Sequence, residues 1–285
     1  MSTGPSQVSS LNSLFANIYE DAVFTVMEQT LAIRLVKNYV NGQGLQTRNL
    51  ATFPSISAVT VAENDDMSNP TVFGKTSITT LTPAEIGSQA LITDSMLETY
   101  SQQDIRDAAS SELSRGAADK IDADIFAGAT SFSGGSVGAT GSTMTWGYLY
   151  AAVANLRAAK IPRPYYAVLH PNSWEPLMET AAIAGTVTNA PQYQDEVMRS
   201  FWVGSAPGLD GIFYSANVKT VGNDAFNLVF NPWALAFDLR RAIRIEPERD
   251  ASKRAWELNM SALYAAGVWR PLWGVMCVAL ASAIS

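Results

Sequence analysis

"KTSITTLTPAEIGSQALITDSMLE", residues 75–98, opens with the alternation of a β-strand: Ile78 and Thr80 fall on one face, Thr79 and Leu81 on the other. Neither face carries enough apolar area to bury, so the strand must lean on something else. Directly after it a long helical pattern starts near Ser101, and the chain passes from a thin sheet element straight into a rod. Upstream, "SISAVTVAE" (55–63) is a second strand-like run, joined to "KTSITTLTPAE" (75–85) by the polar "NDDMSNPTVFG" (64–74). The two runs predict a long two-stranded excursion. Such a ribbon is at best marginal alone in water, and its faces are dominated by Ser, Thr and Ala. Two readings follow: a hairpin lying against its own domain, or a strap that finds its support on another chain.

The rod is "SQQDIRDAASSELSRGAADKIDADIFAG" (101–128), with Ser101 and Asp104 in capping-box spacing and Gly128 in a helix-ending position. Ile105, Ala109, Leu113, Ala117, Ile121 and Ile125 recur every fourth residue, a narrow apolar stripe flanked by Ala108 and Gly116. At 1.5 Å per residue the helix is roughly 38 Å long. Arg115–Asp119 and Lys120–Asp124 are i,i+4 pairs for its wet side. This is a strut packed on one side only.

The flanks are more mixed. Residues 11–40 carry apolar positions at Leu14, Ile18, Val26, Leu31 and Leu35 and read as a helical N-terminal segment ended by "NGQG" (41–44). "GATSFSGGSVGATGS" (128–142) is a Gly/Ser linker without the Gly-Lys-Ser/Thr of a phosphate-binding loop. Thr145 caps a helix through Leu149, Val153 and Leu156, stopped by "KIPRP". "YYAVLHP" is a buried strand, "NSWEPLMETAA" a helix with Ser173 as its cap, and "QDEVMRSFW" a short helix. After "PGLDG" the chain turns β-rich: "IFYSANV", "AFNLVFN", "ALAFDLRRAIRIEP", "AWELNMSALYAAGVWRP" and "WGVMCVALA". Trp256, Leu258, Met260 and Ala262 alternate with Glu257, Asn259 and Ser261, so that long strand has one buried face.

Composition limits the function classes. A formal charge of −7 disfavours a general affinity for nucleic acid or anionic membrane. "PLWGVMCVALASAIS" (271–285) offers about a dozen mostly apolar residues, short of the roughly 20 that span a bilayer, and reads as a buried strand. "MSTGPSQVSS" has no basic residue and no apolar run, so no secretory signal is expected and the protein is expected to stay in a cytoplasm. Seven Trp, ten Tyr and eleven Phe suit a chain that must dry large surfaces, in a core or between subunits.

Reactive groups are scarce. The lone His170 is the one candidate base and the lone Cys277 the one candidate thiol nucleophile, and nothing local marks either as activated. One His and one Cys do not make a zinc site. Glu63, Asp65 and Asp66 lack the glycine and final Glu of a calcium loop and read as a solvated hairpin tip. Arg240, Arg241, Arg244, Arg249, Lys253 and Arg254 are interleaved with Asp238, Glu246, Glu248 and Asp250, a pattern that suggests salt bridges at a subunit contact rather than a nucleic-acid footprint. No catalytic, cofactor-binding or metal residue is assigned, and no cofactor is expected.

The order of parts, rather than any one motif, carries a resemblance. An N-terminal helical arm, a two-stranded excursion, "TPAEIGSQALITDSMLE" leading into a long helix, then "AVLHPNSWEPL", "PGLDGIFYSANV" and a closing "YAAGVWRPLWGVMCVAL" together resemble the major capsid proteins of tailed bacteriophages, the Hong Kong 97-like capsid fold. The resemblance implies an α+β fold with an N-terminal arm (1–50), an extended hairpin loop (51–92), a spine helix opening a peripheral domain (93–144), an axial domain (145–231) and return strands of the peripheral domain (232–285). It implies a structural protein and no enzyme, one that builds the icosahedral shell around a double-stranded DNA genome, whose excursion reaches over a neighbour and whose axial domain meets its copies in pentamers and hexamers. The implied partners are further copies of itself, a separate scaffolding protein, a portal, a decoration protein and packaged DNA through weak non-specific contact, with no membrane. The implied location is the virion, assembled in the host bacterial cytoplasm. Some members cross-link a lysine of the excursion to an asparagine of a neighbour; Lys75 lies in that element, and no partner for it is assigned. A nanocompartment shell of the same fold and a hydrolase working through His170 are the alternative readings.

Overall fold

The computed structural model describes residues 30–40, 44–56, 72–99, 102–183 and 208–281, with Gly42, Ala58, Thr60, Val61 and Glu63 as single positions. Its framework is two sheets that share one helix. In the first, β1 (Lys37–Tyr39) runs parallel to β10 (Leu235–Asp250), β10 pairs antiparallel with β11 (Ala255–Val268), and β11 pairs antiparallel with β4 (Ala84–Thr93). Across this sheet lies the long helix, Gln102–Phe126. Every fully apolar member of the expected stripe that is larger than Ala, namely Ile105, Leu113, Ile121 and Ile125, is buried against Leu258, Met260, Ala262 and Phe237. Both expected i,i+4 pairs form, Arg115–Asp119 at 3.9 Å and Lys120–Asp124 at 2.6 Å.

The second sheet has the order β5 (Ser136–Gly138), β12 (Gly274–Leu280), β9 (Asp224–Phe230), β6 (Tyr166–Leu169), β7 (Gly211–Tyr214), with β8 (Thr220–Val221) on β9. Its inner strands β6, β9 and β12 are buried on both faces, and alternation sorts their side chains into two cores. Val229, Ala167, Leu169 and Cys277 meet the helices Trp146–Ala158 and Pro171–Ile183 through Leu149, Val153, Leu156 and Leu177. Leu228, Phe230 and Val168 point the other way, into the core of the long helix. The third element is a separate two-stranded ribbon, β2 (Arg48–Thr52) with β3 (Ser77–Leu81).

Among the described residues the helices are, in chain order, α1 (Ala32–Leu35), α2 (Asp94–Thr99), α3 (the long helix), α4 (Trp146–Ala158) and α5 (Pro171–Ile183). Several local expectations are corrected here. The helical reading of residues 11–40 extends over a strand, because Lys37–Tyr39 pairs with β10; residues 11–29 lie outside the described ones. The excursion's first strand is Arg48–Thr52, not residues 55–63, and Ala84–Thr93 is a sheet strand in its own right. Gly128 does not end α3, which gives way at Phe126 to a 3-10 turn over Ala127–Ser131. Glycine is needed there for a different reason: a β-carbon would sit 2.8 Å from Leu235 Cδ2 and 3.0 Å from Val268 Cγ2, where the turn presses on the first sheet. Part of the linker 128–142 is strand β5. Thr145 occupies the cap position of α4 with no side-chain cap bond. Ser173 lies inside α5, and its hydroxyl donates to the Leu280 carbonyl, tying the helix to β12. The expected helix at 194–202 and the cap residue Ser101 lie outside the described residues.

Candidate assembly surface

The base of the ribbon is firmly seated. Leu50 and Leu81 face each other's strands across the register Arg48↔Leu81 to Thr52↔Ser77 and are buried with Ala236, Ala265 and Trp269. Leu81 fits where β11 has a glycine: a β-carbon on Gly267 would stand 2.7 Å from Leu81 Cδ2. Beside this contact Arg48 donates to both oxygens of Asp238, Nε at 2.7 Å and Nη2 at 3.3 Å. Asp238 is fully buried, and Arg240 Nη2 approaches it from the other side at 2.8 Å. Two guanidiniums on one buried carboxylate satisfy the rule that buried charge must be paired. Tyr39 stacks edge-on with Trp269, and burial pushes its phenol upward against the opposing pull of Arg48 and Arg270.

Beyond the base the ribbon changes character. Thr76 N donates to Thr52 O at 2.8 Å, extending the ladder by one bond, and then the strands part. Phe53 and Phe73 stack at 5.1 Å and 4° while remaining 54% and 63% exposed. Ile56 is 64% and Val72 87% exposed. Fully burying a side chain of this size is worth about 1.5–3 kcal/mol, so four of them form a substantial drive toward any surface that covers them. Exposed apolar side chains gathered on one element in this way mark a candidate interaction site. Lys75, the candidate cross-linking residue, is exposed just before β3, and among the described residues nothing assigns it a partner.

Within the chain the interleaved basic residues find carboxylate partners, and no partner chain is present to test the expected subunit contact. Arg241 pairs with Glu85, Arg244 with Glu246, Arg249 with Asp94 at 2.7 Å, and Lys253 with Glu257 at 2.7 Å and Asp250 at 3.4 Å. Arg241 and Arg249 therefore staple β10 to β4 and α2 within one chain, while the other pairs lie within the β10–β11 hairpin. Sequence alone could not show it, because Glu85 and Asp94 lie more than a hundred residues upstream.

His170 ends β6. Its backbone N–H donates to Asn227 Oδ1 at 2.7 Å, its carbonyl accepts the first free amides of α5 from Ser173 and Trp174, and its Nδ1 accepts from Asn172 N at 3.3 Å. Burial lowers its pKa. Cys277 is fully buried in β12 and its thiol is pushed up to about 12 by burial, so it holds no thiolate at neutral pH. Among the described residues no group of His, Cys, Asp or Glu could hold a metal ion, and no helix is long and apolar enough to cross a membrane. Asp65 and Asp66 lie outside the described residues and Glu63 is an exposed single position.

No protein-family model and no curated protein sequence matches the chain. Solved structures do. A chain from the capsid of Ralstonia phage GP4 superposes with a TM-score of 0.67 at 9% identity, covering 88% of each chain. One from Mycobacterium phage Che8 gives 0.65 at 16% identity, with 87% of this chain and 90% of that one covered. The virus-like particle of Pyrococcus furiosus gives 0.61 at 9% identity, with 92% and 98% covered. The protein has the α+β, Hong Kong 97-like fold of phage capsid chains, as its order of parts implied.

Proposed function

We propose that this chain is a major capsid protein, which self-assembles into the closed icosahedral shell of a tailed bacteriophage with a double-stranded DNA genome. The observation that carries it is the β2–β3 ribbon, anchored at its base and apolar beyond it, in a chain whose fold is shared with phage capsids. A segment that exposes two stacked phenylalanines gains burial only when another surface overlaps it. In this reading the first sheet and α3 form the peripheral part. The second sheet with α4 and α5 forms the axial part that meets its copies in pentamers and hexamers, and β12 supplies the axial sheet from the end of the sequence. Residues 1–50 act as the arm. Scaffold, portal and decoration protein are separate chains, packaged DNA is touched weakly, and the shell is assembled in a bacterial cytoplasm and resides in the virion. The chain works as a structural protein and not as an enzyme: His170 is committed to the β6–α5 junction, and Cys277 is sealed in a core.

The test replaces residues 53–76 with a short Gly/Ser turn joining Thr52 to Ser77. The subunit should unfold cooperatively as before, because both large cores are untouched, while closed particles disappear from sedimentation and micrographs. Normal particles would show that the ribbon is no strap; a subunit that cannot fold would show that the ribbon packs on its own domain. A cargo-holding shell is the second reading, favoured by the likeness to the Pyrococcus furiosus virus-like particle. Extraction of purified native particles separates the two, since a genome gives long double-stranded DNA and a cargo shell gives protein.

A further inference from the structure

At the corner where β1, the start of β10 and the end of β11 meet, hydrogen-bond donors outnumber acceptors. Lys37 Nζ lies 4.9 Å from the ring centroid of Trp233 and 6.0 Å from that of Tyr39. The Arg270 guanidinium is 4.3 Å from Trp273, 4.8 Å from Trp269 and 5.8 Å from Trp233. Among the described residues neither Lys37 nor Arg270 has a carboxylate partner, and the nearby Asp238 is already held by Arg48 and Arg240. The buried donors Arg270 Nε and Trp269 Nε1 have no acceptor either, and Trp269 is only 8% exposed. A buried N–H without an acceptor is costly, and native folds supply one from the chain, from water or from a bound ion. The two Nη atoms of Arg270 also lack acceptors but are open to solvent, beside a Trp233 that is 41% exposed. Backbone bonds fix the corner in place: Lys37 N donates to Pro232 O at 3.0 Å, and Trp269 N and Arg270 N both donate to Ala234 O, at 2.8 and 3.1 Å.

We propose that this corner binds a phosphate group, with Lys37 and Arg270 as its charge partners. A phosphate dianion matches the two unpaired cations in charge. A phosphate oxygen drawn to an open Nη of Arg270 comes within reach of Nε on the same planar fork, which is the geometry that suits guanidinium to phosphate. The remaining oxygens are left for Lys37, whose flexible stem lets the ammonium swing from the Trp233 ring to the ligand, while Arg270 is held among three indoles. A carboxylate has only two oxygens and one charge to offer the same donors. Cations resting on rings are partly stripped of water, so an incoming anion gains more from them than from a fully hydrated lysine. The formal charge of −7 disfavours a general hold on nucleic acid, and the corner is a local exception to it. The phosphate is a free ion or part of a nucleic-acid backbone, two sources with one chemistry. The inference stands apart from the shell reading and survives its failure.

The experiment titrates the full-length chain with inorganic phosphate and, in parallel, with glutarate and a short single-stranded oligothymidylate, all at fixed ionic strength, while calorimetry and tryptophan fluorescence follow binding. Phosphate should bind saturably and more tightly than glutarate. Lys37→Met should weaken phosphate binding roughly tenfold, the loss of one charge-assisted hydrogen bond. Lys219→Met makes the same change of net charge at an exposed position between β7 and β8 and should bind as wild type. A measurement on the wild-type chain covers the case in which Lys37→Met folds poorly: phosphate should protect Lys37, and not Lys219, from an amine-acylating reagent, read by mass spectrometry. Oligothymidylate held more tightly than inorganic phosphate, and competing with it, would support the site with a nucleic-acid backbone as its ligand; oligothymidylate held no more tightly would support the site with the free ion. The absence of a saturable response, glutarate bound as well as phosphate, equal losses in the two lysine variants, or unchanged acylation of Lys37 would each overturn the site.

Discussion

The spine helix and the ribbon are near neighbours in sequence and opposite in how they use apolar residues. α3 points Ile105, Leu113, Ile121 and Ile125 into a sheet of its own chain and leaves its charges in water. Among its described residues the ribbon buries only Leu50 and Leu81, at its root, and holds Phe53, Ile56, Val72 and Phe73 out to solvent. The difference separates residues that hold the fold together from residues left for another surface to cover, and the two sets can be changed independently.

Substitutions can break that separation if it is wrong. The largest effect on the subunit is expected at Phe126, fully buried where α3 meets both sheets: Phe126→Ala should cost about 3–5 kcal/mol in denaturant unfolding. Next is the ribbon's root. Leu81→Ala should cost about 2–4 kcal/mol, because the side chain fills the space over Gly267; a cost below half of that would mean that the root is not part of the body.

Smaller, and readable by its sign, is Asp122. Its carboxylate accepts the amides of Leu31 at 3.2 Å and Ala32 at 3.0 Å, tying α1 to α3. Burial holds its pKa above the ordinary value and outweighs those two amides. A carboxyl whose folded pKa is raised binds its proton more tightly in the native state, so its contribution to stability grows as pH falls through the raised value toward 3.8. Measured against Asp122→Asn by denaturant unfolding between pH 7 and 4, wild type should gain relative to the variant as pH falls. The opposite slope would show that the amides dominate. The smallest effect on the subunit belongs to the ribbon's outer part: Phe73→Ala should change unfolding by less than about 0.5 kcal/mol while reducing particle yield. Loss of subunit stability there would merge the two regions that the comparison keeps apart.

What the sequence disclosed follows the range of the interactions involved. The stripe of α3 and the alternation of β11 were legible because each is written every four or every two residues and is read by a neighbouring face. The ribbon's thinness was legible for the same reason. Its strand positions were not: the apolar alternation of residues 55–63 looks more like a strand than "RNLAT" does. Arg48 is held by Asp238, 190 residues away, and Leu50 by a cluster from β10 and β11. Ala84–Thr93, with its Gly87, Ser88 and Gln89, is a strand because β11 offers it a ladder, not because of its own propensity. Ser173 looked like a cap and is a tie to Leu280, again a contact across a hundred residues. The carboxylate partners of Arg241 and Arg249, on β4 and α2, could not be read from the basic run at 240–254 because they lie far upstream in sequence. The aromatic corner beside the ribbon's root is assembled from residues 37–39, 233 and 269–273 and exists only after folding.

The position of β12 governs when any of this can happen during synthesis. Gly274–Leu280 sits between β5 and β9 and contributes Val275, Cys277 and Ala279 to the core beneath α4. Until those residues clear the ribosome, β9 has an open edge and α4 has no floor. Contacts so distant in sequence also form slowly. A nascent chain therefore cannot complete the second sheet until translation has passed that strand, and in the proposed shell this would keep half-made chains from joining their neighbours.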